Sequence, residues 1–181
     1  MRTTFARHSQ SGSMSALVWD DAPPGSPLVV FLHANGFNAA TYGAALAPVS
    51  LRARIVAFDF RGHGQTTLAA DPKLLSDWEL YRDDVLVVFD ELVRDGPIIF
   101  AGHSLGAAVS LLVAGAREVH GLFLIEPVLL PDWARWLLRG AALAGIPNEI
   151  SRMTAAAARR RKTWPSVEAA IGSYKDRAVF R

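Results

Sequence analysis

The sequence predicts an α/β fold, with a mostly parallel β-sheet and helices on both of its faces. Short runs that are apolar throughout alternate along the chain with segments of helical periodicity, which is the order of elements in such a fold. Strands that are apolar on both faces indicate a parallel sheet, because helices cover both of its sides. With 181 residues, of which 51% are hydrophobic and 20% charged, the chain is long enough for a sizeable core.

The first four predicted strands lie in the N-terminal third of the chain. Two extended segments, Thr3–Arg7 and Ala16–Trp19, open the fold on either side of a turn at Gly12-Ser13. The apolar runs Leu28–Leu32 and Arg54–Phe58 follow and predict two buried parallel strands.

Two helical segments accompany these strands. Residues Ala39–Ser50 are compatible with a helix. A second helix is predicted to begin at Ser76, an N-cap residue for which Glu79, three positions later, completes a capping box. The apolar residues of this helix recur at helical spacing up to Gly96, and they are Trp78, Tyr81, Val85, Val88, Phe89 and Leu92.

The pentapeptide Gly102-His103-Ser104-Leu105-Gly106 is the most informative motif of the chain. The apolar run Pro97–Ala101 precedes it, and the small-residue stretch Ala107–Ala114 follows as a predicted helix. A Gly-x-Ser-x-Gly sequence between a strand and a helix is typical of a nucleophile elbow, a sharp turn that presents the serine hydroxyl. The glycines are expected because a Cβ two residues from Ser104 would collide with a neighbouring strand or helix. The motif therefore makes the serine a candidate nucleophile.

A serine nucleophile needs an oxyanion hole, and two backbone N–H groups are candidates for it. One belongs to Leu105, directly after the serine. The other is expected in the loop after Leu28–Leu32, because the carboxyl ends of parallel strands lie at one edge of the sheet. We select Asn35 within His33-Ala34-Asn35-Gly36, and the alternative is an ordinary Asn-Gly turn.

Three motifs together make the chain resemble the α/β-hydrolase superfamily. They are His33-Ala34-Asn35-Gly36, Asp59-Phe60-Arg61-Gly62-His63-Gly64 and Gly102-His103-Ser104-Leu105-Gly106, in the order and spacing of that superfamily between Leu28 and Pro127. The chain is similar to its cap-bearing branch of esterases, lactonases and related serine hydrolases. The resemblance implies an acyl-enzyme formed from a small-molecule acyl substrate, which is a carboxylic ester, thioester or lactone.

The resemblance also implies roles for individual residues. Ser104 is the nucleophile, and Leu105 and Asn35 supply the oxyanion hole. The residues that shape the site without doing the chemistry are His33, Gly36, Gly102, His103 and Gly106. A haloalkane dehalogenase or an epoxide hydrolase would carry aspartate at position 104, so the serine disfavours those relatives. No metal and no cofactor is expected.

The sequence departs from the superfamily at the acid and the histidine of the triad, which follow the nucleophile in chain order. After Ser104 the sequence has one histidine, His120, and it directly precedes the predicted strand Gly121–Ile125, at the opposite end of the sheet. Glu126 follows that strand and is a candidate acid; its alternative role is to anchor the entrance of the cap. We therefore interpret the chain as lacking the C-terminal part that carries the triad acid and histidine.

Two domains are predicted. Residues 1–127 form the N-terminal part of a hydrolase core, and residues 128–181 form a partial helical cap or lid. The helical segments of this cap are predicted at Pro131–Gly140, Ile150–Lys162 and Ser166–Tyr174. A sheet that ends at Gly121–Ile125 leaves an unpaired edge, so we expect self-association, or completion of the fold by a C-terminal segment or a second chain.

Composition and charge exclude several other function classes. The chain has no cysteine for a disulfide or a thiolate metal site, its N-terminus has no apolar core of signal-peptide length, and no apolar stretch is as long as a membrane span. We expect a cytoplasmic protein. Residues 152–181 carry eight Lys and Arg against two Asp and Glu, including Arg159-Arg160-Arg161-Lys162. We interpret this run as a solvated helix face or one packed on an acidic surface, with neither nucleic acid nor a membrane as partner.

Two functions follow from these observations. The first is a serine hydrolase of which this chain is the N-terminal portion. The alternative is a catalytically inactive α/β-hydrolase-like domain that acts as a binding or interaction module. The two differ in whether Ser104 reacts with an acyl substrate.

Overall fold

The computed structural model of the chain describes residues 1–7, 12–71, 78–92, 96–129, 133, 136–137, 140, 144 and 163–175. The chain divides into two compact units, Met1–Leu129 and Leu130–Arg181. The first unit contains the sheet and all residues of the candidate site. The predicted role of the C-terminal residues as a cap stays a prediction.

Within the described residues, six strands form one mixed sheet in the order β1-β2-β4-β3-β5-β6. In chain order they are β1 (Arg2–Arg7), β2 (Ser13–Trp19), β3 (Leu28–Leu32), β4 (Arg54–Phe58), β5 (Ile98–His103) and β6 (Gly121–Ile125). Strands β4, β3, β5 and β6 run parallel, and the antiparallel hairpin of β1 and β2 pairs with β4. The predicted α/β fold with a mostly parallel sheet is therefore confirmed, and every predicted strand is present.

Helices connect the parallel strands. They are α1 (Gly43–Leu46), α2 (Glu79–Leu92) and α3 (Leu105–Ala116), and the second unit contains α4 (Val167–Tyr174). The helix predicted over Ala39–Ser50 is divided, because α1 is a single turn between the 3-10 turns Ala39–Tyr42 and Val49–Leu51. Pro48 has no N–H group to continue the helical hydrogen bonds. The predicted N-cap Ser76 lies outside the described residues.

Side chains that alternate along the strands build an apolar core on each face of the sheet. On the face of α2 and α3, the core includes Val30, Leu32, Val56, Phe58, Phe100, Val85, Phe89, Val109 and Val113. On the other face, it includes Phe31, Ile55, Ala57, Ala101, Ala39 and Leu46. This burial on both faces is the reason that the central strands are apolar throughout.

A buried ion pair fastens the loop after β4 to helix α2. Arg61 Nε and Nη2 donate to the two carboxylate oxygens of Asp84 at 2.6 and 2.5 Å, and both side chains are buried. Two parallel hydrogen bonds are a strong form of the Arg–carboxylate pair. Loss of either partner would leave an uncompensated buried charge, at a cost of about 3–5 kcal/mol.

The described part of the second unit contains α4 and the residues that precede it. Ser166 Oγ accepts a hydrogen bond from the Ala169 N–H at 3.2 Å, so the helix begins with an N-cap next to its predicted start. Most of the predicted helices at residues 131–140 and 150–162, with the basic run 159–162, lie outside the described residues. In the described part of the chain, no helix is long and apolar enough to cross a membrane.

Strand β6 forms one edge of the sheet and carries exposed apolar side chains. Within the described residues it pairs with β5 alone, and Leu122, Phe123 and Ile125 are 38%, 64% and 38% exposed. A strand that has one unpaired edge and exposed apolar side chains favours association with another chain.

We predict that Phe123→Lys reduces self-association of the 181-residue chain, because a charge on the exposed strand opposes both strand pairing and apolar contact. Light scattering after size-exclusion chromatography should show a mass that rises with concentration for the wild type and less for the variant. Val87→Lys changes an apolar residue of α2 that is 45% exposed, and this control should behave as the wild type. A monomeric wild type at high concentration would contradict the prediction.

Candidate active site

Ser104 alone forms the turn between strand β5 and helix α3. The strand ends at His103 and the helix begins at Leu105. The serine has φ of 53° and ψ of −111°, a conformation that costs a non-glycine residue about 1–3 kcal/mol. Its N–H donates to the Ile125 carbonyl at 2.9 Å, and its carbonyl accepts from the Ala108 N–H at 3.1 Å. This backbone geometry is that of a nucleophile elbow.

Two glycines allow α3 to pack this closely on the sheet. A Cβ on Gly106 would overlap the backbone carbonyl groups of Leu32 and His33, and a Cβ on Gly102 would overlap the backbone of Gly106. The overlapped atoms belong to the backbone, which cannot move aside as the end of a flexible side chain can. Any larger residue at either position would therefore push the helix and the strands apart.

Two backbone N–H groups of the loop after β3 donate hydrogen bonds to side chains of neighbouring segments. The Ala34 N–H donates to the Tyr42 hydroxyl at 3.1 Å, and the Gly36 N–H donates to His63 Nε2 at 3.1 Å. Among the hydrogen bonds of the described residues, none uses the Asn35 N–H. The geometry therefore leaves this donor available to a ligand.

The N–H of Leu105 is a second available donor. Leu105 is the first residue of α3, and no side chain caps this helix. The first N–H groups of a helix have no partner within it, and the helix dipole favours negative charge at this end. Asn35 and Leu105 follow the neighbouring parallel strands β3 and β5, so both donors lie at the same edge of the sheet.

His33 is buried and holds the start of the same loop. Its Nε2 accepts from the Phe60 N–H at 3.0 Å, so Nδ1 carries the proton and donates to the Ala34 carbonyl at 2.8 Å. Burial lowers the pKa of His33 to about 4. Because both ring nitrogens are occupied, the side chain is suited to support the loop and not to accept a proton from a substrate or a nucleophile.

The carboxylate of Asp59 organises the loop after β4. It accepts hydrogen bonds from the Ser15 hydroxyl at 2.6 Å, the Ala39 N–H at 2.8 Å and the Gln65 N–H at 3.0 Å. Gly64 has φ of 53°, and a Cβ at this position would overlap the same carboxylate. The glycine and the carboxylate together give this loop its tight path.

His63 lies in that loop and contacts the loop of Asn35. Because Nε2 accepts the Gly36 N–H, Nδ1 carries the proton and donates to the Arg61 carbonyl at 3.0 Å. The Asn35 side-chain oxygen lies 3.2 Å from Nε2. The histidine therefore links the loop after β4 to the loop of Asn35.

The structure brings His103 and Glu126 together beside the elbow. His103 Nδ1 lies 2.8 Å from the Tyr42 hydroxyl, and its Nε2 lies 3.8 Å from a carboxylate oxygen of Glu126. Glu126 directly follows β6, has φ of 47°, and its side chain is 86% exposed. Its role as the triad acid stays a prediction. No role for Tyr42 was predicted from the sequence.

The remaining histidine lies away from these groups. His120 Nδ1 accepts from the Ile98 N–H at 3.1 Å, at the beginning of β5, whereas Ser104 follows the end of that strand. Within the described residues no hydrogen bond reaches the Ser104 hydroxyl. The same part of the chain contains no cluster of His, Asp and Glu that is suited to a metal ion.

Comparison with known proteins decides the family. A model described as the alpha/beta hydrolase family matches residues 29–180. The chain belongs to this family. Among solved structures, the thioesterase domain from the curacin biosynthetic pathway superposes with a TM-score of 0.71 at 19% identity, over 97% of this chain and 61% of that domain. At this identity the likeness shows a shared fold.

Two relatives are similar in sequence to this alpha/beta hydrolase. Monoglyceride lipase from Mus musculus is 33% identical over 118 residues, which cover 61% of this chain and 38% of the lipase. Protein phosphatase methylesterase 1 from Mus musculus is 33% identical over 100 residues, which cover 53% of this chain and 25% of the esterase. The chain thus spans less than half the length of the curated relatives that it matches.

We predict that His33 makes the free energy of unfolding depend on pH between 6.5 and 4. Over this range an exposed histidine becomes protonated in the unfolded chain, whereas the pKa of folded His33 is about 4. Its contribution is therefore fully present above pH 6.5, and it is lost as the pH falls, by about 3 kcal/mol at pH 4.

Urea unfolding at several pH values measures this dependence. His33→Gln keeps an acceptor for the Phe60 N–H and should flatten the decrease in stability toward acid pH. The same substitution at exposed His120 is the matched control for loss of a histidine. If His33→Gln and the wild type lose stability equally between pH 6.5 and 4, the burial of His33 does not have this effect.

Proposed function

We propose that this alpha/beta hydrolase chain is the N-terminal portion of a serine hydrolase that forms an acyl-enzyme on Ser104. The observation that carries the proposal is the strained turn of Ser104 between β5 and α3. A protein maintains such strain only where the surrounding structure compensates for it, and strained residues are concentrated at active sites. The available N–H groups of Asn35 and Leu105 support the same function.

In the proposed reaction, Ser104 Oγ attacks the carbonyl carbon while a general base takes the hydroxyl proton. The carbonyl oxygen becomes an oxyanion that accepts hydrogen bonds from the N–H groups of Asn35 and Leu105. The leaving alcohol or thiol takes the proton back from the base, and the acyl group remains on the serine until water releases it. In serine proteases, removal of one donor from the oxyanion hole lowers kcat about 100- to 1,000-fold.

Carboxylic esters are the substrate class with most support. The relatives that match in sequence include a monoglyceride lipase and a protein phosphatase methylesterase, both named for ester hydrolysis. A thioester or a lactone would react through the same oxyanion. We therefore propose a small-molecule acyl substrate without specifying its acyl chain.

The general base is proposed to come from outside these 181 residues. His33 and His63 use both ring nitrogens in hydrogen bonds, and His120 lies at the other end of β5. The ring of His103 faces Tyr42 through Nδ1 and Glu126 through Nε2, and in the described part of the chain it has no hydrogen bond to the Ser104 hydroxyl. The matched relatives are more than twice as long as the segments that align with this chain. A C-terminal segment or a second chain would supply the histidine, and Glu126 beside the elbow is the candidate acid.

A domain that binds acyl compounds without turnover is the second candidate. This candidate is favoured by one observation: among the described residues, no side chain is hydrogen-bonded to the Ser104 hydroxyl in the way that a general base would be. Without a base, the site would keep its oxyanion donors and lose its nucleophile.

We compare the isolated 181-residue chain with an extended chain, which continues into the coding sequence downstream of Arg181. We predict that the isolated chain hydrolyses p-nitrophenyl acetate about 10⁴- to 10⁶-fold more slowly, because loss of triad residues lowers kcat by factors of this size. A fluorophosphonate probe should label Ser104 in the extended chain. Ser104→Ala is the control in both forms and should abolish turnover and labelling.

The two other outcomes would each contradict part of the proposal. Rapid Ser104-dependent turnover by the isolated chain would show that the base lies within these residues. An extended chain that remains unlabelled and inactive would overturn the hydrolase proposal and favour the binding domain.

A further inference from the structure

The Tyr42 hydroxyl contacts both sides of the proposed oxyanion hole. Tyr42 ends the 3-10 turn Ala39–Tyr42, and its ring packs on Phe31 with the ring centroids 4.7 Å apart. The hydroxyl oxygen accepts from the Ala34 N–H at 3.1 Å, on the loop after β3. The same oxygen lies 2.8 Å from His103 Nδ1, at the end of β5.

Two hydrogen bonds meet at the Tyr42 oxygen. It accepts one from the Ala34 N–H, and the other joins it to His103 Nδ1, where the imidazole tautomer decides which atom donates. Burial raises the pKa of the Tyr42 hydroxyl, so it keeps its proton at neutral pH. With one proton and two lone pairs, the hydroxyl bonds to Nδ1 in either direction while it accepts from Ala34, and Nε2 of the same ring faces Glu126.

We propose that Tyr42 is a positioning residue that sets the spacing of the two oxyanion donors. Ala34 directly precedes Asn35, and His103 lies two residues before Leu105, so one hydroxyl restrains both donors. This inference rests on the proposed function of Ser104. A misplacement of about 1 Å in such a site is enough to lower a rate about 100-fold.

Glu126 contributes little to this restraint. Its carboxylate is 86% exposed, and the distance of 3.8 Å to His103 Nε2 exceeds that of a hydrogen bond. Exposed pairs of this kind stabilise a structure weakly. His103 therefore acts in the restraint through Nδ1 and Tyr42, and Glu126→Gln should leave the restraint intact.

Amide exchange tests the restraint in the 181-residue chain without any measurement of activity. Tyr42→Phe removes the hydroxyl and keeps the ring, and we expect the Ala34 N–H to exchange about tenfold faster in NMR spectra. The Gly36 N–H, which donates to His63, should be unaffected. Tyr81→Phe is the matched control, because this buried tyrosine packs edge-on against Phe60 on the other face of the sheet.

The rate of fluorophosphonate labelling in the extended chain tests the effect on Ser104. Tyr42→Phe and His103→Ala should each slow labelling about tenfold to 100-fold, and the double variant should be no slower than either one. His103→Asn offers an oxygen near the position of Nδ1 and should restore most of the rate. A role of the His103 ring in packing alone would not give this rescue.

Unchanged exchange of the Ala34 N–H in Tyr42→Phe would overturn the inference. Additive effects of the two substitutions on labelling would overturn it as well. If wild-type Ser104 is unlabelled in every form of the chain, the proposed function fails. The amide exchange then still decides whether Tyr42 restrains the loop.

Discussion

The close contact between the beginning of α3 and the backbone of β3 is the constraint on which the candidate site depends. Gly106 faces the Leu32 carbonyl directly, and no side chain separates the helix from the sheet there. The contact places the Leu105 N–H at the edge of the sheet that also carries Asn35. A residue with a side chain at position 106 would move the helix away from β3 and so increase the distance between the two N–H donors. The two glycines of the motif therefore allow the close approach of α3 to the sheet on which the position of the Leu105 N–H depends.

The strained turn and the loop beside it are held by interactions from several distant segments. Ile125 of β6 accepts the N–H of Ser104, while Val109 and Val113 of α3 are fully buried against the sheet. The loop of Asn35 donates hydrogen bonds to His63 and Tyr42, which come from different connections. The protein thus maintains a backbone conformation that an isolated peptide would not adopt.

The sequence predicted the central strands closely because each is buried on both faces. Leu28–Leu32 and Arg54–Phe58 have the predicted ends, and so does the edge strand Gly121–Ile125, which is apolar although it is partly exposed. Strand β2 begins three residues earlier than predicted, since two of its first three residues are serines. Ser13 and Ser15 donate their N–H groups to the hydroxyls of threonine side chains in the loop after β4, which apolar patterning does not reveal. The helix over Ala39–Ser50 was wrong as one element, because the segment is a single α-helical turn between two 3-10 turns, and Pro48 has no N–H group to continue the helix.

The sequence by itself determined the turn at Ser104, because glycine spacing between a strand and a helix is a short-range steric requirement. It also indicated the loop of Asn35, which follows a recognisable parallel strand. Only the tertiary structure decided that Tyr42 meets His103, 61 positions later, and that Glu126 lies beside the same histidine. Such contacts depend on how strands β3, β5 and β6 pair and on the path of the connections, and no local pattern of residues encodes that placement.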